Sequence, residues 1–356
     1  MVSRITVLIF LTLALSGCSN STEPSLDGWN QLPDAIISGG VPKDGIPAIN
    51  NPIWDTAAEG DWLNNDFLVV GVVIDGQAFA YPHKMMDQHE IANEPTSTTP
   101  YTVSFCPLTG SSIVFKSTIG GGVKTFGVSG LLMQNNLIMF DRQTDSNWPQ
   151  LRLQADRGSL INTQLELIEH TEIEWGAWKD LHPGTFIMNR NSGGRAPSAY
   201  DAIFYNGYRV PEKEPLFPMN FNDTRLLPKI RVLGVFAGGG TKAYPMFSFD
   251  GGRAVINDQI SGVPIAVFGD PDSRMMRAFF TEVDGQTLTF KLMAGTETGS
   301  LSKVKFIDDE TGSTWNIEGK AISGSLSGEK LSQSKSYVAY WFAWSAFNRD
   351  TELWEG

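Results

Sequence analysis

The stretch FLVVGVVIDGQAFAYP, residues 67–82, returns later in the chain as IRVLGVFAGGGTKAYP, residues 230–245. Val69-Val70-Gly71 and Ala80-Tyr81-Pro82 align with Val232-Leu233-Gly234 and Ala243-Tyr244-Pro245 at one offset of 163. The first copy is an apolar run, an Asp75-Gly76 pair and a second short run. That is a hairpin signature, because Asp-Gly tolerates the positive φ angles of a two-residue turn. The echo then continues in order. Asn93-Glu94 aligns with Asn257-Asp258 and Phe105 with Phe268. Asp141, Thr144, Ser146 and Trp148 align with Asp308, Thr311, Ser313 and Trp315 at an offset of 167. Gly158-Ser159-Leu160 aligns with Gly324-Ser325-Leu326, and Trp175, Trp178 and Thr185 align with Trp341, Trp344 and Thr351, all at 166. So many ordered matches, several of them tryptophan, predict an internal duplication of a unit of roughly 125 residues.

Within a unit, YTVSF, SIVFKS, VKTFGV and LIMFD are short, rich in β-branched and aromatic residues, and separated by Gly or polar clusters, as strands are. HKMMDQHEIAN, residues 83–93, is the best short helix of the first unit. TEIEWGAWKDLHP is another, with Trp175 and Trp178 three apart on one face and Pro183 ending it. The expected fold is mainly β with a few short helices, a β-rich α+β class. The expected division is a signal segment at 1–17, a tether and irregular lead-in at 18–61, a first unit at 62–190, a Pro-rich linker at 191–229 and a second, degenerate unit at 230–356. The glycine clusters 120–122 and 238–240 lack the Lys-Ser/Thr of a phosphate loop and are expected to be hairpin turns.

The chain of 356 residues is 41% apolar and 19% charged, an ordinary globular composition. Its net charge is -12. Without the first 17 residues, which carry only Arg4, 26 basic side chains face 39 acidic ones, and such a surface excludes nucleic acid as a partner. The N-terminus MVSRITVLIFLTLALSGC joins one basic residue to an apolar run from Ile5 to Leu15, too short to span a bilayer but suited to a secretory signal. Leu15-Ser16-Gly17-Cys18 resembles a bacterial lipobox, in which the cysteine is lipidated and becomes the new N-terminus. The expectation is a protein held in the cell envelope by lipid on Cys18, with Ser19 favouring the outer membrane, facing the periplasm. Lipidation leaves Cys106 without a partner in its own chain, so it is reactive, metal-bound, paired to another chain or buried.

The segments HEIAN, FCPLTGSSIVF, FGVSGLLMQNNLIMFDRQTDSNWPQ and WGAWKDLHPGT resemble a bacterial family catalogued as domain of unknown function 3179. The likeness runs from about Phe67 to Trp354. Many members carry a second cysteine in the Cys-Pro-Leu-x-Gly turn, where this chain has Thr109, so a two-thiol role is unavailable here. The resemblance implies a fold and a short list of residues, but no reaction.

All imidazoles and the spare thiol fall in the first unit. His83 aligns with Met246, His89 with Arg253, Cys106 with Gly269, His170 with Ser336 and His182 with Asn348. Residues shared by both units are most simply scaffold, and residues special to one are candidates for function. Cys106 and His89, with His182 or His83, form a candidate soft-metal site for copper or zinc, to which Met85, Met86 or Met133 could add a thioether. Alternatively Cys106 is a nucleophile and His89 its base, oriented by Glu90, Glu94 or Asn93. The competing structural reading is a buried inert thiol and a satisfied core histidine. Arg142, Gln143 and Gln150 lack counterparts in the second unit and are further cleft candidates. A third class is an envelope binding or scaffolding module without chemistry.

Overall fold

The structure is a computed structural model that describes residues 28–29 and 36–356; the signal segment and Cys18 lie outside the described residues. Strands dominate, arranged in eight small sheets, and the described residues hold three α-helices of seven residues each. Among the described residues no helix is long and apolar enough to cross a membrane.

The opening hairpin forms as its sequence dictates. Leu68–Ile74 pairs antiparallel with Gln77–Pro82, and Asp75 and Gly76 take φ of 50° and 82° between them. Arg231–Ala237 pairs with Gly240–Pro245 in the same register, Val69↔Pro82 in one half matching Val232↔Pro245 in the other. Each hairpin gains an outer antiparallel strand next to a helix. Helix α1 is His83–His89; His170–Glu174 precedes helix α2 (Trp175–Leu181), and Lys335–Tyr340 precedes α3 (Trp341–Phe347). A three-stranded meander follows in both halves. In the first it comprises Ile91–Glu94, Tyr101–Cys106 and Ser111–Lys116; in the second, Ala254–Ile260, Val263–Asp270 and Met275–Phe280.

The Asp-Thr-Ser-Trp runs are turns. Asp141 accepts the backbone N–H of Thr144 at 2.6 Å and the Trp148 indole at 3.1 Å, and Asp308 does the same for Thr311 at 2.6 Å and Trp315 at 2.8 Å. One expected element is shorter than its sequence pattern. Helix α1 stops at His89 because Glu90 adopts φ 58°, and Ile91–Glu94 leaves as a strand. Both glycine clusters do turn the chain, with φ of 60° and 80° at Gly120 and Gly121, and 58° and 83° at Gly238 and Gly239.

The two halves do not keep separate cores. Trp175 and Trp178 of the first half pack in one cluster with Phe268, Phe306 and Trp315 of the second. Trp341 and Trp344 of the second pack with Phe115, Phe126 and Trp148 of the first. Other contacts across the boundary are reciprocal as well. His170–Glu174 lies against Met275–Phe280, and Lys335–Tyr340 against Ser111–Lys116. Glu174 N donates to Ser273 O at 3.0 Å, and Tyr340 N to Thr109 O at 2.8 Å. These pairs occupy positions that the sequence alignment of the two halves matches. The Pro-rich connecting segment lies against the first half: the Tyr200 hydroxyl reaches His89, and the Tyr208 hydroxyl donates to Leu108 O.

In both halves a glycine in the hairpin makes room for the second tryptophan of the helix. A methyl group at Gly71 would sit 2.5 Å from the Trp178 ring, and one at Gly234 would overlap Trp344. Gly71→Ala and Gly234→Ala are each expected to destabilise the fold by about 1–3 kcal/mol, the usual cost of overpacking. Gly207→Ala, with open space around it, is expected to stay within about 0.5 kcal/mol of the parent. Urea unfolding of the three variants checks this.

Candidate functional site

The four residues expected to share a metal stand apart. His89 is fully buried, and both ring nitrogens are occupied, Nδ1 by Pro47 O at 2.8 Å and Nε2 by the Tyr200 hydroxyl at 2.7 Å. Cys106 is buried against the carbonyl of Asn135, with Sγ to O at 3.7 Å. His182 packs against Trp178 with the rings tilted 50° and meets Glu318 of the second half at 3.2 Å. His83 lies elsewhere again, its ring 4.3 Å from that of Phe105. Among the described residues no group of three or more His, Cys, Asp or Glu side chains is placed to hold a metal ion.

The nucleophile reading also loses its geometry, because His89 spends both nitrogens on other partners. Burial, reinforced by the neighbouring Glu90, pushes the Cys106 thiol up to about 11, so it carries its proton at neutral pH and is no activated thiolate. Glu90 is itself buried and pushed up to about 8, with Asp87 adding to the effect. The further cleft candidates are structural. Arg142 forms a two-point ion pair with Asp44 at 2.6 and 2.7 Å, and Gln143 holds Thr125. Gln150 is the centre of a buried network with Ser104, Ser111 and Asn136.

Of the sequence candidates, His182, Glu90 and Glu94 each line a smaller cavity, and His83 lines one together with residues of both halves. This cavity, about 390 Å³, lies where the two halves and the connecting segment meet. Positions matched in the sequence alignment contribute to it from both halves: Leu68 and Arg231, His83 and Met246, Gly110 and Arg274. The chemistry of each pair is unequal. One half supplies an apolar residue, an imidazole and no side chain, and the other supplies a guanidinium, a thioether and a second guanidinium. Arg209 and the buried Lys229 of the connecting segment add two more cations, Lys229 with its Nζ on Glu214 O and over the Tyr208 ring, and Glu172 and Asp250 line the cavity as carboxylates.

The cations are anchored. Glu172, fully buried, accepts from Arg231 at 2.8 Å and from the Ser112 hydroxyl at 2.8 Å. Arg274 donates to Glu174 at 2.9 Å, and Arg209 pairs with the buried Asp87. Burial holds the Glu172 carboxyl above its usual range while Arg231 opposes that shift. His83 is only 5% exposed, yet neither ring nitrogen has a hydrogen-bond partner. Its Nε2 stands 3.6 Å from Glu172 Oε2, beyond hydrogen-bond reach. Burial, and then the charges of Arg209, Arg231 and Arg274, hold this imidazole well below its ordinary range, so it is neutral.

Arg274 has a second peculiarity. Its φ is 55°, and the matching Gly110 has φ 58°. A left-handed conformation suits glycine, whereas on a large side chain such strain costs roughly 1–3 kcal/mol and clusters at functional sites. Arginine therefore occupies a position where the backbone favours glycine, and it lines the cavity while its Nε donates to Glu174 and its Nη2 to Asp66 O. Arg209, Arg231 and Arg274 were invisible to a search for imidazole and thiol. The same alignment of the two halves that singled out His83 carried the signal for two of them, in the changes from Leu68 to Arg231 and from Gly110 to Arg274.

Two outcomes follow from the buried groups. A thiol reagent at pH 7.5 is expected to leave Cys106 unmodified in the folded protein and to label it only on unfolding; rapid labelling of the native state would contradict its burial. Asp87 is pushed up to about 7 and Glu94 to about 7, chiefly by burial, as Glu90 is to about 8. Folded carboxyls that keep protons which the unfolded chain releases near pH 4 stabilise the fold below that pH, and this stability is lost as pH rises through 7 to 8. His83, His89 and His170, all held low, are neutral in both states over most of that window and do not offset it. Unfolding midpoints are expected to fall from pH 7 to pH 8, and Glu90→Gln is expected to flatten the slope.

No curated protein and no solved structure matches the chain. Over residues 43–351, which include nearly all of the described body and the whole cavity, the chain matches the DUF3179 family, described as a protein of unknown function, and it belongs to that family.

Proposed function

We propose that the protein binds a small organic anion in the cavity between its halves. The observation that carries this reading is the convergence of Arg209, Arg231, Arg274 and Lys229 on one pocket whose buried imidazole has no partner. Guanidinium groups present several fixed donors each, so they hold a carboxylate or phosphate after one donor has already been used to anchor them. Arg231 uses Nη2 on Glu172 and keeps the remaining donors for a ligand. A partly enclosed pocket with apolar walls at Leu68, Phe105 and Ile230 lowers the effective dielectric and strengthens each charged contact. A role at the cell envelope is supported by the Leu15-Ser16-Gly17-Cys18 sequence, through which lipid on Cys18 would hold this binding body at a membrane.

The dispersed His89, Cys106 and His182 give no support to copper or zinc binding, and the buried thiol gives none to thiol chemistry. Binding without a resident metal is the simpler reading of the geometry.

Isothermal titration and thermal shift with sulfate and with small carboxylates test the proposal. Binding in the micromolar to low millimolar range is expected, with a rise in melting temperature. Arg274→Gly places at this position the residue that its counterpart already has, so the fold is expected to persist. Affinity is expected to drop at least about tenfold, the value of one charge-assisted hydrogen bond. Absence of any anion-dependent shift at 10 mM would remove the proposal.

A further inference from the structure

The cavity holds more than a positive field, and its other groups narrow the class of anion; this step rests on the anion-site reading. Arg231 Nη2 and His83 Nε2 both approach one atom, Glu172 Oε2, at 2.8 Å and 3.6 Å. The guanidinium and the free imidazole therefore lie within the span of one small bifunctional group. A carboxylate and a substituent on its adjacent carbon have that span. The substituent must hydrogen-bond, because His83 is 95% buried with two unsatisfied nitrogens, and leaving such a group unpaired is costly.

The charge of the substituent is also constrained. His83 stands under the influence of Arg209, Arg231 and Arg274. An ammonium brought to that point would meet these three cations, and the one carboxylate beside His83, Glu172, is already engaged by Arg231, whereas a neutral hydroxyl brings no charge to match. A neutral imidazole presents a donor or an acceptor at Nε2 according to its tautomer, and a hydroxyl can meet either. The rest of the ligand meets apolar surface. Leu68, Phe105, Ile230, Met246 and Phe247 line the cavity, and Phe247 is 46% exposed at its rim. A bare inorganic anion would leave those walls uncovered.

We propose that the ligand is a 2-hydroxy acid with an apolar or aromatic body: its carboxylate on Arg231 and Arg274, its hydroxyl on His83, its side chain along Phe105 and Met246. His83 is here a specificity residue that distinguishes the hydroxy acid from its deoxy and amino counterparts. Sites built to hydrogen-bond a hydroxyl reject the analogue that lacks it, because their buried polar groups are then unpaired.

The test is calorimetric titration of the full chain with each enantiomer of 3-phenyllactate, with 3-phenylpropanoate, with phenylalanine and with sulfate. One enantiomer of phenyllactate is expected to bind at least about tenfold tighter than phenylpropanoate, with phenylalanine the weakest of the organic acids. His83→Met, which installs the residue found at the matching position of the other half, is expected to bring the phenyllactate to phenylpropanoate ratio close to one while phenylpropanoate affinity is kept. His83→Gln, which retains a donor and an acceptor, is expected to keep part of the preference and guards against a folding failure of the first variant. Equal affinity for hydroxy and deoxy acids in the parent protein would overturn the inference, as would a preference that survives His83→Met. If phenylpropanoate or sulfate binds without any hydroxyl preference, the anion site stands and this class assignment falls; if nothing binds, both fall.

Discussion

The structure depends on an apolar core that runs across the boundary between its halves. Each half carries a short helix with two tryptophans, which packs on its own hairpin through Trp178 against Gly71 and Trp344 against Gly234, and each pair belongs to a cluster that continues into the other half. Seven-residue helices have little stability of their own, so burial of Trp175, Trp178, Trp341 and Trp344 has to supply what helix propagation cannot. A side chain of this size contributes several kcal/mol when fully buried. Because two of the apolar clusters include residues of both halves, the halves share part of their core. The paired backbone bonds Glu174 to Ser273 and Tyr340 to Thr109 sit at that seam.

A seam between two similar surfaces places equivalent residues opposite each other, and this gives the cavity its character. Where both halves need the same residue for packing, as at Gly71 and Gly234, they have kept it. Around the cavity they differ: leucine faces arginine, histidine faces methionine, and a left-handed glycine faces a left-handed arginine. These differing positions line a cavity, where the two halves need not match for packing. The cavity thus acquires guanidinium groups from one half and an imidazole from the other, which is what an asymmetric small molecule requires.

Much of the framework was legible in the sequence. The Asp75-Gly76 turn, the recurrence of the Tyr-Pro strand ends and the paired tryptophans anticipate the hairpins and helices, since they rest on local backbone preferences and on direct repetition. The end of α1 at His89 was not legible. Nothing in HKMMDQHEIAN stops a helix, and the left-handed Glu90 is imposed by the pairing of Ile91–Glu94 with Tyr101–Cys106. The site was half legible. Residue type groups His83 with Cys106 and His89, whereas in space His89 is tied to Pro47 and Tyr200 and His83 lines the cavity. The cations that line this cavity with it, Arg209, Arg231 and Arg274, lie more than a hundred residues away in sequence, where only the fold could bring them together.

The most direct measurement of the central claim is a crystal structure of the protein soaked with 3-(4-bromophenyl)lactate, with data collected at the bromine absorption edge. The account predicts an anomalous peak inside the cavity near Phe105 and Met246, with the carboxylate on Arg231 and Arg274 and the hydroxyl within hydrogen-bond distance of His83. A cavity that holds only water at saturating ligand, or bromine bound elsewhere on the surface, would contradict it.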